Sequence, residues 1–192
     1  MKLFGPVYDR VLVWSAHPRA PWYLGGLSVA ESSFFPIPPD VMLAPMVLAR
    51  PPYWWRFALL TTVASVVGGL IGYAIGYFAI DAVIPLLHRL GWYDHFVYAS
   101  ELYVEWGVWI VLLAGFSPIP YKVFTIASGA AGMAVLPFVA ASLVGRAARF
   151  FLVAALVRAI GPRIEPTLRK YIDTIGWITV VVAVVAWFVL RG

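Results

Sequence analysis

Two similar proline-rich phrases interrupt otherwise apolar stretches of the chain and limit how those stretches can fold. The phrases read Phe34-Phe35-Pro36-Ile37-Pro38-Pro39-Asp40 and Phe116-Ser117-Pro118-Ile119-Pro120-Tyr121-Lys122. Aligning the prolines places Asp40 and Lys122 at equivalent positions, 82 residues apart. A doubled Pro-x-Pro ends a helix, because proline lacks the backbone N–H donor and its ring obstructs the preceding turn. The chain therefore contains two broken apolar segments, a pattern typical of transport sites within membranes.

The composition predicts an integral membrane protein. Hydrophobic residues make up 62% of the 192 residues and charged residues 12%, whereas soluble domains carry about 25% charged residues. We expect a single membrane domain over residues 1–192, with an interfacial amphipathic segment over 1–21 in place of a signal peptide. The absence of cysteine excludes disulfides and cysteine-bound metals. The basic residues are scattered at segment ends rather than clustered on one face, so the net charge of +5 does not indicate nucleic-acid binding.

Three apolar stretches are candidates for membrane spans, over residues 54–80, 136–160 and 174–190. A helix needs about 20 residues to cross the hydrocarbon core. Inside the first stretch, Gly68, Gly72 and Gly76 recur every four residues. Such a stripe of small residues lets another helix backbone approach closely, within one chain or between the subunits of a homo-oligomer.

The proline phrases lie between shorter apolar arms, over residues 22–35, 41–49, 106–116 and 123–133. Each arm is too short to cross a bilayer. Irregular backbone at membrane depth persists only where protein or a wet cavity surrounds it. We therefore expect two re-entrant helical hairpins, over 22–49 and 106–133, with Pro36, Pro38, Pro118 and Pro120 at their tips. Residues 81–105 are expected to form an amphipathic loop on the outer surface.

The distribution of basic residues sets the expected orientation. In this layout nine Lys and Arg residues fall on one side and two on the other, which predicts a cytoplasmic N-terminus and an outside C-terminus. The two hairpins then enter from opposite sides, each followed by a span, so the layout is an inverted repeat. Both spans contain a phenylalanine followed four residues later by a small hydroxyl residue, Phe57 with Thr61 and Phe138 with Ser142.

Five ionisable residues fall within the predicted membrane segments: Glu31, Asp40, Lys122, Arg146 and Arg149. A central charge costs roughly 2.5–3.5 kcal/mol on insertion scales, so these side chains must be paired, hydrated or protonated. Arg146 and Arg149 are three residues apart on one helix face, and their forked donors suit phosphate oxygens. With Lys122, they are candidates for binding a phosphate head group. Glu31 and Asp40 lie on the two arms of the first hairpin and are candidates for proton coupling or gating.

A purely structural role for these charges is the alternative. Asp40 would then pair with Lys122 across the two tips, and Glu31 with one of the arginines. The two roles are compatible, since an ion pair between the tips can also act as a gate.

An enzyme is not expected. An intramembrane hydrolase normally needs a positioned base, and the histidines all fall in predicted loops: His17, His88 and His95. No spacing motif supports a metal site, and no cofactor is predicted.

Four motifs together resemble the DedA family, whose shared core is called the VTT or SNARE-associated domain, and most closely its YqaA-like branch. They are Glu31 upstream of Phe35-Pro36-Ile37-Pro38-Pro39-Asp40, Gly72-Tyr73-Ala74-Ile75-Gly76-Tyr77, Phe116-Ser117-Pro118-Ile119-Pro120-Tyr121-Lys122, and Gly145-Arg146-Ala147-Ala148-Arg149-Phe150. The resemblance covers roughly residues 22–160. It implies two facing re-entrant hairpins and the movement of polyprenyl phosphate or phospholipids across the inner membrane, proton-coupled in some members.

The resemblance also implies roles for individual residues. The family's essential acids correspond to Glu31 and Asp40, and its basic residue after the second proline phrase corresponds to Lys122. In many relatives an arginine also precedes that phrase, where this chain has Phe116 and Ser117. Either Arg146 or Arg149 supplies the missing charge, or this branch moves a different lipid.

The sequence thus predicts an all-α membrane transporter or flippase for a phosphate-bearing lipid, with membrane lipids and protons as its partners. Two other classes stay open: a non-transporting assembly or scaffold factor, and a carrier of small solutes or ions.

Overall fold

The computed structural model describes residues 10, 13–33, 37–91, 93–117, 120–161 and 163, and the regular elements in these ranges are all helical. The helices are α1 (Ala20–Ser33), α2 (Asp40–Ala49), α3 (Trp54–Leu90), α4 (Tyr93–Phe116), α5 (Tyr121–Ala130) and α6 (Val135–Gly161), with a 3-10 turn over Pro51–Tyr53. The all-α prediction is confirmed for this part of the chain. The predicted 174–190 span, most of the 1–21 segment, and Pro36 and Pro118 lie outside the described residues.

Among the described residues, three helices are long and apolar enough to cross a membrane: α3 together with its preceding turn, α4 and α6, with 40, 24 and 27 residues respectively. The bounds of α6 agree with the predicted span over 136–160 to within one residue at each end. In contrast, α1 and α2 have only 14 and 10 residues, fewer than the roughly 20 that a crossing needs. The first proline phrase therefore separates two short helices, as expected.

The prediction of a loop over residues 81–105 is wrong. Helix α3 continues through Pro85 as far as Leu90, and α4 begins at Tyr93. Between them Gly91 adopts a left-handed φ of 69° and its amide donates to carbonyls of the last turn of α3, an arrangement that favours glycine. The charges that interrupt the apolar pattern there are exposed, and exposed charges are compatible with helix. The first arm predicted for the second hairpin, 106–116, is consequently the second half of a helix long enough to cross.

Two apolar cores hold together the described part of the bundle. One joins α1, α2, the start of α3 and the end of α6, with Phe57 among its buried members. The other joins α4, α5, the later part of α3 and the start of α6, with Phe138 among its buried members. The sequence analysis compared the two spans and paired Phe57 with Phe138. In the structure each of these residues is buried in one of the two cores.

Close backbone contacts fix α3 against its neighbours. A Cβ added to Gly68 would collide with the Val29 carbonyl on α1, and one added to Gly76 would collide with the Ile126 carbonyl on α5. Gly72 lies between them, against Thr125 of α5. Because no side chain separates the backbones, the ends of α1 and α5 meet on one face of α3. That face carries the polar residues of the site.

Candidate functional site

Arg146 is the centre of a buried polar cluster formed by four helices, α1, α3, α5 and α6. The residue is only 1% exposed. Its Nη2 donates to Glu31 Oε2 of α1 at 2.8 Å, and its Nε donates to Ser65 Oγ of α3 at 2.5 Å. Ser32 Oγ lies 2.6 Å from Ser65 Oγ and donates to Glu31 Oε2 at 2.9 Å. The buried charge is therefore neutralised by an ion pair whose partners are themselves hydrogen-bonded, as charges in a low-dielectric interior require.

Aromatic rings enclose the same guanidinium group. The Arg146 Cζ atom lies 4.7 Å from the ring centre of Tyr121 and 4.6 Å from that of Phe150. The Tyr121 hydroxyl donates to Ser142 Oγ. Ser142, Arg146 and Phe150 are spaced by four residues on α6, which places them on one helix face. Cation–π contact adds to the ion pair and excludes other ligands from this arginine.

Arg149 joins the two proline phrases. Its Nη2 donates to Asp40 Oδ2 at 2.7 Å, and its Nη1 donates to the Ser117 carbonyl at 2.6 Å. Asp40 is the first residue of α2, where the positive end of the helix dipole favours a carboxylate. Ser117 directly follows α4. One guanidinium group therefore connects both helix breaks.

The two ion pairs differ in access. The side chains of Arg146 and Glu31 are 2% and 13% exposed, whereas those of Arg149 and Asp40 are 20% and 25% exposed. In addition, Oδ1 of Asp40 is buried and has no hydrogen-bond donor in the described part of the chain. We call Arg149–Asp40 the outer pair and Arg146–Glu31 the inner pair. The outer pair is partly exposed to solvent and has one carboxylate oxygen without a hydrogen bond, whereas the inner pair is almost fully buried.

The structure reassigns one expected pairing. Glu31 pairs with an arginine, as the structural alternative predicted, and that arginine is Arg146. Asp40, which was expected to pair with Lys122, instead forms its ion pair with Arg149. The reason is geometric. Arg149 lies three residues, or about one turn, after Arg146 on α6, and its side chain reaches the N-terminus of α2. Lys122 lies in the first turn of α5, half-buried, and its carbonyl accepts from Thr125 Oγ1 at 2.9 Å.

The histidines lie in different surroundings from those predicted. His88 is in the last turn of α3 and stacks on Tyr93, and His95 is in the first turn of α4, so neither lies in a loop. His17 does lie in a bend before α1. Within the described part of the chain, no hydrogen bond or ion pair joins any of the three histidines to the charge cluster.

Sequence reasoning missed Ser32, Ser65 and Tyr121. A signal for Ser65 was available: it precedes Arg146 by 81 residues, the same spacing that separates Phe57 from Phe138. Ser65 and Arg146 therefore occupy corresponding positions in the two long helices and meet at the centre of the bundle. Small serines and a tyrosine give no such signal on their own.

The Tyr121 hydroxyl offers a test of the cluster. Replacing Tyr121 with phenylalanine keeps the ring beside Arg146 but removes the hydrogen bond to Ser142, which is buried. We expect a loss of about 1–2 kcal/mol of stability, measured as a lower thermal unfolding midpoint in detergent. Tyr121→Leu, which also removes the cation–π contact, should lower the midpoint further. Equal midpoints for the two variants would show that the ring does not stabilise the arginine.

Fold and site together define a small helical membrane protein whose central charges join its two helix breaks. A family model of the VTT domain matches residues 37–159. A Haemophilus influenzae protein described as uncharacterized is 48% identical over 192 residues, covering 100% of both chains. A Histophilus somni protein, also described as uncharacterized, is 44% identical over 191 residues, again covering 100% of both. No solved structure matches the chain. The chain belongs to the DedA family of membrane proteins, whose shared domain is the VTT domain.

Proposed function

We propose that the protein moves a phosphate-bearing lipid, such as polyprenyl phosphate or a phospholipid, across the inner membrane. The observation that carries the proposal is the Arg149–Asp40 pair, which is partly exposed, incompletely satisfied and bonded to both helix breaks. A guanidinium group that holds a carboxylate can also hold a phosphate, since both present oxygens to its forked donors. The lipid phosphate would replace Asp40 on Arg149.

Protonation of Asp40 supplies a way to release the arginine. A neutral Asp40 no longer forms the ion pair, so Arg149 becomes available to a phosphate. Loss of the proton on the other side of the membrane restores the pair and displaces the phosphate. Lys122 is a second candidate for holding the head group. In this mechanism Arg146 has no direct contact with lipid, because Glu31 and two rings enclose it.

Two proposed features of the layout complete this mechanism. The two short helices on either side of the first proline phrase form a re-entrant hairpin, and the N-terminus of the chain lies in the cytoplasm. Movement of one half of the bundle against the other then exposes Arg149 to each side in turn. Arg149 also supports one of the two explanations given above for the missing arginine before the second proline phrase, namely that an arginine of α6 supplies the charge. Its bond to Ser117 brings a positive charge to the second phrase, where many relatives carry an arginine.

The proposal is tested by reconstituting the protein in liposomes and measuring the translocation of fluorescent polyprenyl phosphate and phospholipids, with and without a pH gradient. Arg149→Ala should reduce the rate at least about tenfold, the effect of losing one charge-assisted contact. Asp40→Asn, which imitates the protonated acid, should make the remaining transport insensitive to the gradient. Arg158→Ala removes a charge from the exposed end of the same helix and should leave the rate unchanged.

Transport by Arg149→Ala at the normal rate would contradict the proposal. Two further outcomes would favour the other classes of protein. Folded protein that moves no lipid would favour a scaffold or assembly factor, a class that is also consistent with the closed Arg146–Glu31 pair. Uptake of a small solute into liposomes without translocation of any lipid would favour a solute carrier.

A further inference from the structure

A cleft lies towards the C-terminal end of α3, between α3 and the turn that joins α5 to α6. Two adjoining cavities of about 410 and 280 Å³ form the cleft and share Tyr77, Phe78 and Gly132 in their linings. The smaller cavity also includes Asp81 and the last residues of α5. At Gly132, whose φ is 66°, nothing lies within 4 Å of an added Cβ. The turn therefore leaves the cleft open.

The cleft is separate from the charge cluster. Ser65, which contacts Arg146, precedes Asp81 by 16 residues on α3, a distance of about 24 Å along a helix that rises about 1.5 Å per residue. Asp81 is also the first charged residue after Arg56, 25 residues earlier, or about 38 Å along the axis. A bilayer is about 40–45 Å thick with its head groups. If Arg56 marks one head-group layer, Asp81 lies in the other.

Three features of the cleft favour a positive ligand. The Asp81 carboxylate is exposed, and neither of the ion pairs between described residues involves it. The Tyr77 ring lies parallel to that of Tyr73, with centres 6.3 Å apart, and edge-on to that of Phe78 at 5.3 Å. Aromatic faces attract cations. The C-terminal end of α5, which carries a partial negative charge, lines the same cavity.

We propose that this cleft binds an organic ammonium group, with Asp81 as the counter-charge and Tyr77 as the aromatic wall. A lipid head group that carries a primary ammonium is the preferred source, because the distance from Arg56 to Asp81 is close to the thickness of a bilayer with its head groups and the larger cavity beside Asp81 is mostly apolar. The site would let the protein distinguish zwitterionic lipids from anionic ones. This inference does not depend on the proposed transport activity.

Native mass spectrometry of the intact protein in detergent tests the site, with phosphatidylethanolamine and phosphatidylglycerol of matched acyl chains as probes. We expect preferential binding of phosphatidylethanolamine. Asp81→Asn should weaken that binding at least about tenfold, as the loss of a charged partner does, and leave phosphatidylglycerol unaffected. Tyr77→Leu should weaken it about two- to fivefold. Asp94→Asn, at an exposed acid in the first turn of α4, is the matched control and should bind normally.

A second arm separates the two sources of ammonium. Free ethanolamine that raises the unfolding midpoint of the normal protein, but not of Asp81→Asn, would show that the ammonium group is sufficient. If phosphatidylethanolamine binds and free ethanolamine does not, and if Asp81→Asn loses that binding, the cleft also contacts the rest of the lipid. Equal binding of the two lipids, or a preference that persists in Asp81→Asn, would overturn the proposal.

Discussion

Replacing Glu31 with alanine should leave little folded protein. The substitution removes the counter-charge of Arg146, which is 1% exposed. Breaking one partner of a buried ion pair costs about 3–5 kcal/mol, a large part of the roughly 5–15 kcal/mol that stabilises a typical domain. We expect an unfolding midpoint about 10 °C lower or more, and aggregated material on size-exclusion chromatography in detergent.

Two further variants show whether the missing charge is the cause. The double variant Glu31→Gln, Arg146→Met removes both charges at similar volume and should recover much of the lost stability, because no uncompensated charge is left. Asp40→Ala breaks the outer pair, whose side chains are 20–25% exposed, and should cost much less. A normal midpoint for Glu31→Ala would show that the inner pair does not hold the helices together.

Adding a single methyl group at Gly76 should separate α3 from α5. The Cβ of Gly76→Ala would lie 2.8 Å from the Ile126 carbonyl carbon and 3.0 Å from the Ala130 nitrogen, closer than side-chain and backbone atoms normally pack. Backbone atoms cannot rotate away as a side chain can, so the helices must move apart. Overpacking typically costs about 1–3 kcal/mol, and the upper end applies where backbone atoms must move. We expect a much lower unfolding midpoint, and lipid translocation lost with it.

Gly129→Ala makes the reciprocal test from α5, since its Cβ would collide with the Tyr73 carbonyl. Gly26→Ala is the control: Gly26 lies within α1, and nothing is within 4 Å of its added Cβ. That variant should be as stable as the normal protein or slightly more so, because alanine favours helix over glycine. If Gly76→Ala and Gly26→Ala have the same unfolding midpoint, the close approach of α3 and α5 is not required for stability.

The helices could be predicted where the signal is local. Residues 136–160 are apolar throughout, and α6 has almost those bounds. The proline phrase before Asp40 ends one short helix and begins another, because proline acts on its own turn. The prediction failed over residues 81–105, because a segment with isolated charges was predicted to be a loop. Those charges are exposed on α3 and α4, and an exposed charge does not end a helix.

The site could be predicted in its residue types but not in its contacts. The cost of a charge within apolar sequence identified Glu31, Asp40, Arg146 and Arg149 as residues that need partners. Their assignment to two pairs of different exposure depends on the rotation of α6 relative to α1 and α2. Ser65 contributes only because it faces Arg146, a property of two helices far apart in the sequence.

Composition and proline spacing alone determined that this chain is a helical membrane protein with two helix breaks and charges that must be neutralised. These are local properties, fixed by the solvation of each side chain and the backbone chemistry of each turn. Only the tertiary structure decided that Arg146 is sealed against Glu31 while Arg149 joins both breaks through Asp40 and Ser117. The physical reason is that ion pairing depends on distances of a few ångströms between helices, and the packing of the whole bundle sets those distances.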